Sequence, residues 1–156
     1  MTVRRDLTIA NETQHLSTVR RVVGEVLDLS PFDERTRNMI VVAVDEALAN
    51  VVEHAYGKSR GDVHLSFGLS DDHLEVVIRD NGQRFDPPQA VADVAAQIKN
   101  GARGGYGLFL MRRIMDEVRF AHETPFQNEL TMVKRFPPPA GGEGAAPGSD
   151  PAAKKK

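Results

Sequence analysis

Residues 73–88 read HLEVVIRDNGQRFDPP. Leu74, Val76 and Ile78 alternate with Glu75, Val77 and Arg79, the period-two pattern of a strand with one face on a core. That phase carries Asp80 onto the apolar face at the strand's end, where a carboxylate needs a hydrogen-bond donor. Asn81-Gly82 is a strong hairpin signal, but a hairpin demands a second strand at once, and Pro87 and Pro88 cannot donate to a ladder. The stretch therefore reads as a strand ending in an acid and a close-approach glycine. Gly82 lets a flat ligand come near while Asp80 accepts a hydrogen bond from that ligand's amino group.

Outward from this strand, TVRRDLTIA at 2–10 reads as a first strand, and Glu12 to Leu29 as a helix with Leu16, Val19, Val22, Val23 and Val26 at helical spacing. A second helix runs from Asp33 to Ala55. Strands at 62–69 and 73–79 flank a turn at Asp71-Asp72, a third helix spans Tyr106 to Asp116, and strands at 118–122 and 128–136 close the order. Hairpins outnumber crossovers, so the expected class is α+β, a two-layer sandwich with a mixed, mostly antiparallel sheet and its helices on one face. Residues 1–136 form this domain. Residues 137–156, PPPAGGEGAAPGSDPAAKKK, hold no leucine, isoleucine, valine or aromatic side chain and read as a disordered tail.

The composition excludes several functions. The chain has 156 residues, 40% apolar and 27% charged, with a net charge of −2 and no cysteine. One soluble core-bearing domain follows, without disulfides, thiol nucleophiles or thiolate metal sites, and the cytoplasm is the expected location. No basic stripe suits a phosphate backbone, so nucleic acid is not an expected partner. No stretch approaches the roughly 18 apolar residues of a membrane span, so no membrane is expected either.

The second helix carries the first chemical signal. Ile40, Val44, Ala47, Leu48, Val51 and Ala55 form an apolar stripe, and Glu46, Asn50 and His54 form a polar row beside it at four-residue steps. Asn50 is a poor helix-interior residue, so it reads either as a solvated flank or as one half of an oxygen pair, with Glu46, for a hard cation. Next, Gly101, Gly104, Gly105 and Gly107 lead into the third helix, where unpaired backbone N–H groups attract phosphate. Two other glycine patterns fail. GKS at 57–59 would need a glycine at Val52, and GYGLFL at 105–110 has Leu110 where a dinucleotide fingerprint has its third glycine.

In this order and spacing, DEALANVVEHAYG (45–57), DNGQRFDP (80–87) and GGYGLFLMRRIMDEV (104–118) resemble the three nucleotide-binding boxes of an ATPase superfamily. Gyrase, a heat-shock chaperone, histidine kinases and a mismatch-repair protein share that superfamily and its Bergerat-type ATP-binding fold. The resemblance covers residues 5–136, and its nearest form is the single-domain branch of anti-sigma factor serine/threonine kinases; NELTMVKRF at 128–136 also resembles how that branch ends its sheet. The resemblance implies ATP and Mg2+ as cofactors. It implies that Asn50 ligates the magnesium, that Glu46 is the general base, and that Asp80 accepts from the adenine amino group beside Gly82. By the same resemblance Gly105 and Gly107 line the phosphates, Arg103 lies near the terminal phosphate, and residues 88–105 form a lid. One position departs: Arg84 stands where many relatives carry a second glycine.

The implied activity is phosphorylation of an anti-anti-sigma antagonist protein, together with sequestration of a sigma factor, in a partner-switching pathway. The alternative is a non-catalytic nucleotide-binding module that acts only by occupying a partner; a third reading is a regulator of another signalling route with the same fold. A histidine kinase's separate helical pair and a gyrase-like second domain do not fit in this length, and His15 in HLSTVRR lacks the acidic neighbour of a phosphoacceptor histidine. Sister proteins of this branch commonly pair, which makes a homodimer the expected assembly.

Overall fold

A computed structural model of the protein describes residues 2–54, 61–84, 104–122 and 125–138. Its strands are β1 (Val3–Ala10), β2 (Asp62–Leu69), β3 (His73–Asp80), β4 (Glu117–His122) and β5 (Asn128–Arg135). Its helices are α1 (Leu16–Asp28), α2 (Glu34–His54) and α3 (Gly104–Ile114). Ala55, residues 88–103 of the expected lid and all of the tail after 138 lie outside the described residues.

The sheet order is β1-β2-β3-β5-β4, and every described pairing is antiparallel. The expected mixture is therefore absent from these strands. Two helices separate β1 from β2, and a helical pair, unlike a single crossover helix, brings the chain back in the opposite sense. The hairpins β2–β3 and β4–β5 then meet through β3 against β5. Ser70 shapes the first hairpin turn: its hydroxyl oxygen accepts from the His73 backbone N–H at 3.2 Å.

Register sorts the covered face into rows. Leu7, Leu65, Ile78, Leu130 and Phe120 align across all five strands, an apolar floor under the helices. One row further, Ile9 and Val63 lead to Asp80, Asn128 and His122. The apolar floor thus ends in a polar sill at one end of the sheet.

The helices cover that floor with Val19, Val23, Val26 and Leu27 of α1, Ile40, Ala43, Val44, Ala47 and Leu48 of α2, and Leu108 and Met111 of α3, all buried. In α2, burial of Ile40, Val44 and Leu48 is worth about 1.5–3 kcal/mol each. Branching at Cβ costs a helix only a few tenths of a kcal/mol per residue, so packing decides the conformation. The segment before α1 differs from expectation: Thr13–His15 is a 3-10 turn and the α-helix starts at Leu16, whose preceding His15 offers no side-chain cap. At the other end of α1, the Ser30 hydroxyl donates to the Leu27 carbonyl at 2.6 Å.

Arg37 fastens the connection between α1 and α2. Its guanidinium donates to the Phe32 carbonyl at 2.8 Å, to Asp28 at 3.2 Å and to the Ser30 carbonyl at 3.3 Å. Asp33 caps α2: its Oδ1 accepts from the Thr36 backbone N–H at 2.9 Å. Hydrogen bonds from Thr36, side chain first and then backbone, hold the Asp33 carboxyl below its ordinary value of 3.8. A depressed native value means stability that is present above the ordinary value and lost as pH falls through the lowered one. Asp33→Ala is therefore expected to melt below wild type at pH 7, with the gap narrowing in melts run below the ordinary value. A gap that stays constant down through that range would show that the cap carries no charge-dependent stability.

Candidate functional site

The polar sill faces α2 across a cavity. Ala47, Asn50 and Val51 of α2 form one wall, Ile78 and Asp80 of β3 the floor, and Phe120, His122, Asn128 and Leu130 the side toward β4 and β5. Apolar atoms make most of the lining surface, with Asn50, Asp80, His122 and Asn128 among the polar residues that border it, a composition usual for small-molecule sites.

Asp80 is 3% exposed. Its Oδ1 accepts from the Gly82 backbone N–H at 2.9 Å and from the Asn128 amide at 2.9 Å. The first bond is an Asx turn, in which the side chain bends its own backbone two residues on. Asn81-Gly82 thus turns the chain without starting a hairpin, because β3 takes its partners from β2 and β5. Both bonds fall on Oδ1, so Oδ2 is the oxygen they leave to a further donor.

Asn128 was not singled out by its own residue in the sequence, although it opens the stretch NELTMVKRF. Its amide donates both to Asp80 and to the Gln83 carbonyl at 2.8 Å, tying β5 to the loop after β3. The Asn81 side chain accepts from the Gln127 backbone N–H at 3.0 Å and adds a second tie. Phe120 and His122 were missed as well. The signal available for these residues was the cross-strand register opposite Asp80, which a linear reading does not supply.

Glu46 and Asn50 stand one turn apart on α2, both half-buried. Neither has a hydrogen bond or ion pair among the described residues, whereas the adjacent Asp45 is taken by Arg20 of α1 at 3.1 Å. Unpaired polar groups at the edge of a core are ready for a ligand. Among the described residues no cluster of three or more histidine, cysteine, aspartate or glutamate side chains exists. A magnesium ion fits this sparse donor set, because it takes one or two protein oxygens and leaves the rest to phosphates and water.

The glycines of the third box are placed differently from expectation. α3 starts at Gly104, so Gly104 and Gly105 belong to its first turn and Gly107 to its second. First-turn N–H groups need no intrahelical partner, which lowers the cost of glycine there. Gly107 packs on α2: a Cβ built on it would lie 2.7 Å from Oε1 of Glu46 and 3.5 Å from its Cβ. Space, not backbone conformation, accounts for this glycine. Arg103 and the side chain of His54 lie outside the described residues, and Arg84 is exposed.

Gly107→Ala gains about 0.5–1 kcal/mol of helix propensity but meets the Glu46 carboxylate. That oxygen is the far end of a flexible, half-buried side chain and can turn aside, so the cost stays below that of overpacking a rigid core. In urea melts Gly107→Ala is expected to stabilise a Glu46→Ala background by more than it stabilises wild type, the difference being the cost of displacing the carboxylate. Equal effects in the two backgrounds would mean that the two side chains do not compete for space.

The comparisons with known proteins bear on the family and the fold. Residues 9–134 match the family described as histidine kinase-like ATPase domain. Serine-protein kinase RsbW of Bacillus velezensis is 32% identical over 120 residues, which cover 73% of this chain and 75% of that protein. Serine-protein kinase RsbW of Bacillus cereus is 26% identical over 123 residues, covering 76% and 77%. In a crystal structure of the RsbU and RsbW domains of Rv1364c from Mycobacterium tuberculosis, the likeness has a TM-score of 0.63 at 23% identity. It covers 88% of this chain but only 34% of that longer one, and it speaks for the fold. Matched from the end of β1 to the last strand, this chain belongs to the histidine kinase-like ATPase domain family, among relatives that are RsbW serine-protein kinases.

Proposed function

We propose that the chain is an ATP-dependent protein serine/threonine kinase that phosphorylates an anti-anti-sigma protein and otherwise holds a sigma factor. The carrying observation is the pair Glu46 and Asn50, one turn apart and without partners among the described residues, with Asn50 lining the cavity that ends in buried Asp80. The family match and the RsbW relatives support the same reading.

In this reading the adenine amino group donates to Asp80, and the apolar walls from Val51, Ile78 and Leu130 take the ring faces. Gly82, held in its turn by Asp80, lets the base come close. The cavity measures about 40 Å³, enough for only a few waters, so a purine enters as its walls part. Asn50 would hold Mg2+, which neutralises charge on the phosphates when bound. The phosphates reach toward Gly105 and Gly107 at the start of α3, where the helix dipole favours anions. The acceptor's serine oxygen then attacks the terminal phosphorus, the bond to the ADP oxygen breaks, and Glu46 takes the hydroxyl proton. Partner exchange follows, because the phosphorylated antagonist no longer competes for the kinase.

Glu46→Gln keeps the shape and removes the base. Transfer of labelled phosphate to a cognate antagonist is expected to fall about a hundred- to ten-thousandfold with Mg-ADP affinity retained. Full transfer by the variant would remove Glu46 from the role. Nucleotide binding by wild type with no labelled phosphate on any antagonist would instead favour a module that acts by binding alone.

Asp80→Asn keeps an oxygen for Gly82 and Asn128 but turns the second atom from acceptor to donor. Calorimetry should show ADP affinity lower by about ten- to a hundredfold, or roughly 1.5–3 kcal/mol. Inosine diphosphate, which lacks the amino group, should be affected much less. Equal losses for both ligands would place the base elsewhere.

A further inference from the structure

α2 carries two of the large apolar side chains that the structure leaves most exposed, Met39 at 40% and Val42 at 42%. Both follow Asn38 on the outward side of the helix, and with Glu46 they recur at steps of three and four, so the three lie along one stripe. The Glu46 carboxylate has few open sides. α3 closes one through Gly107, and buried Ala43 and Ala47 lie on the core side of the same helix. One turn toward the C-terminus is Asn50, on the cavity. One turn toward the N-terminus is Val42.

If nucleotide fills the Asn50 side, as in the function proposed above, an in-line displacement puts the attacking hydroxyl opposite the leaving oxygen. The hydroxyl then reaches Glu46 from the Val42 side. We propose that Met39 and Val42 are the docking seat of the phosphoacceptor protein, whose acceptor serine is bordered by apolar surface. The chemistry of the flank favours an apolar partner over a charged one: Arg20 on the α1 side is already paired with Asp45 at 3.1 Å. Single apolar side chains are ordinary on a surface. These two differ by standing in register with the group that takes the proton.

The inference rests on the kinase reading, and its test separates the two. Met39→Asp and Val42→Asp, with Met39→Leu as the conservative control, are assayed in the full chain with radiolabelled ATP and the purified antagonist that wild type phosphorylates. Each aspartate is expected to raise KM for the antagonist by about tenfold or more, as for an interface anchor. The kcat at saturating antagonist, Mg-ADP affinity and melting temperature should stay at wild-type values, and Met39→Leu should behave as wild type. Wild-type KM in both aspartate variants overturns the seat while the kinase reading stands. Loss of Mg-ADP affinity in parallel with transfer overturns it too, since the stripe would then belong to the nucleotide. A wild-type chain that labels no antagonist overturns the kinase reading and the seat with it.

Discussion

A carboxylate at 3% exposure on the covered face of a sheet sets terms for everything around it. Removing such a group from water costs several kcal/mol. Hydrogen bonds to a charged acceptor return about 1.5–3 kcal/mol each. Asp80 has two, from Gly82 and Asn128, so its burial is offset only while both donors stay. The Gly82 bond fixes the loop that leaves β3, and the Asn128 bond requires the register that puts residue 128 opposite residue 80. A one-residue slip of β5 would turn Asn128 to the outer face and bring Gln127 or the acidic Glu129 into its place. The acid therefore constrains the strand pairing that builds its own site.

α2 solves a different problem with the same economy of residues. Its core stripe ends at Leu48 and Val51, and the polar row is offset from that stripe by about one residue, or 100° around the helix. Glu46 and Asn50 consequently sit where the two layers part, half out of water, without being forced into the floor. Asp45, one residue further round, falls on the α1 side and is taken up by Arg20. Adjacent carboxylates on one helix thus separate into a structural one and an unpaired one by angle alone.

Much of this was legible in the sequence, for stated reasons. Alternation over residues 74–80 put Asp80 on the covered face, and it is there because a period-two strand gives no other choice. The stripe and row of α2 were legible for the same kind of reason, a period that runs for 21 residues. The sheet order was not, because β3 and β5 are joined by α3 and β4 and no local pattern marks which strand lies beside which. Hence Asn128, His122 and Phe120 went unnoticed, although Asn128 stands in register opposite Asp80 and the other two pair with Asn128 and Leu130 on β5. The third box shows a subtler limit. Its glycines read as a phosphate loop, but Gly107 lies inside α3 against Glu46, and only the packing of two helices distant in sequence reveals what its missing Cβ makes room for.

The supports of Asp80 and of Glu46 share no residue. The acid on the sheet depends on Gly82, Asn128 and the β3–β5 register; the acid on the helix depends on Gly107 and on the seating of α2 over Ala43 and Ala47. What connects them is rigid-body placement of α2 on the apolar floor, through side chains such as Leu48 and Val44 that touch neither ligand group. Small shifts of α3 can then move Glu46 against Gly107 while the Asp80 end of the sheet stays as it is. The division between sheet and helix layer keeps the two acids independent without any moving part in the floor itself.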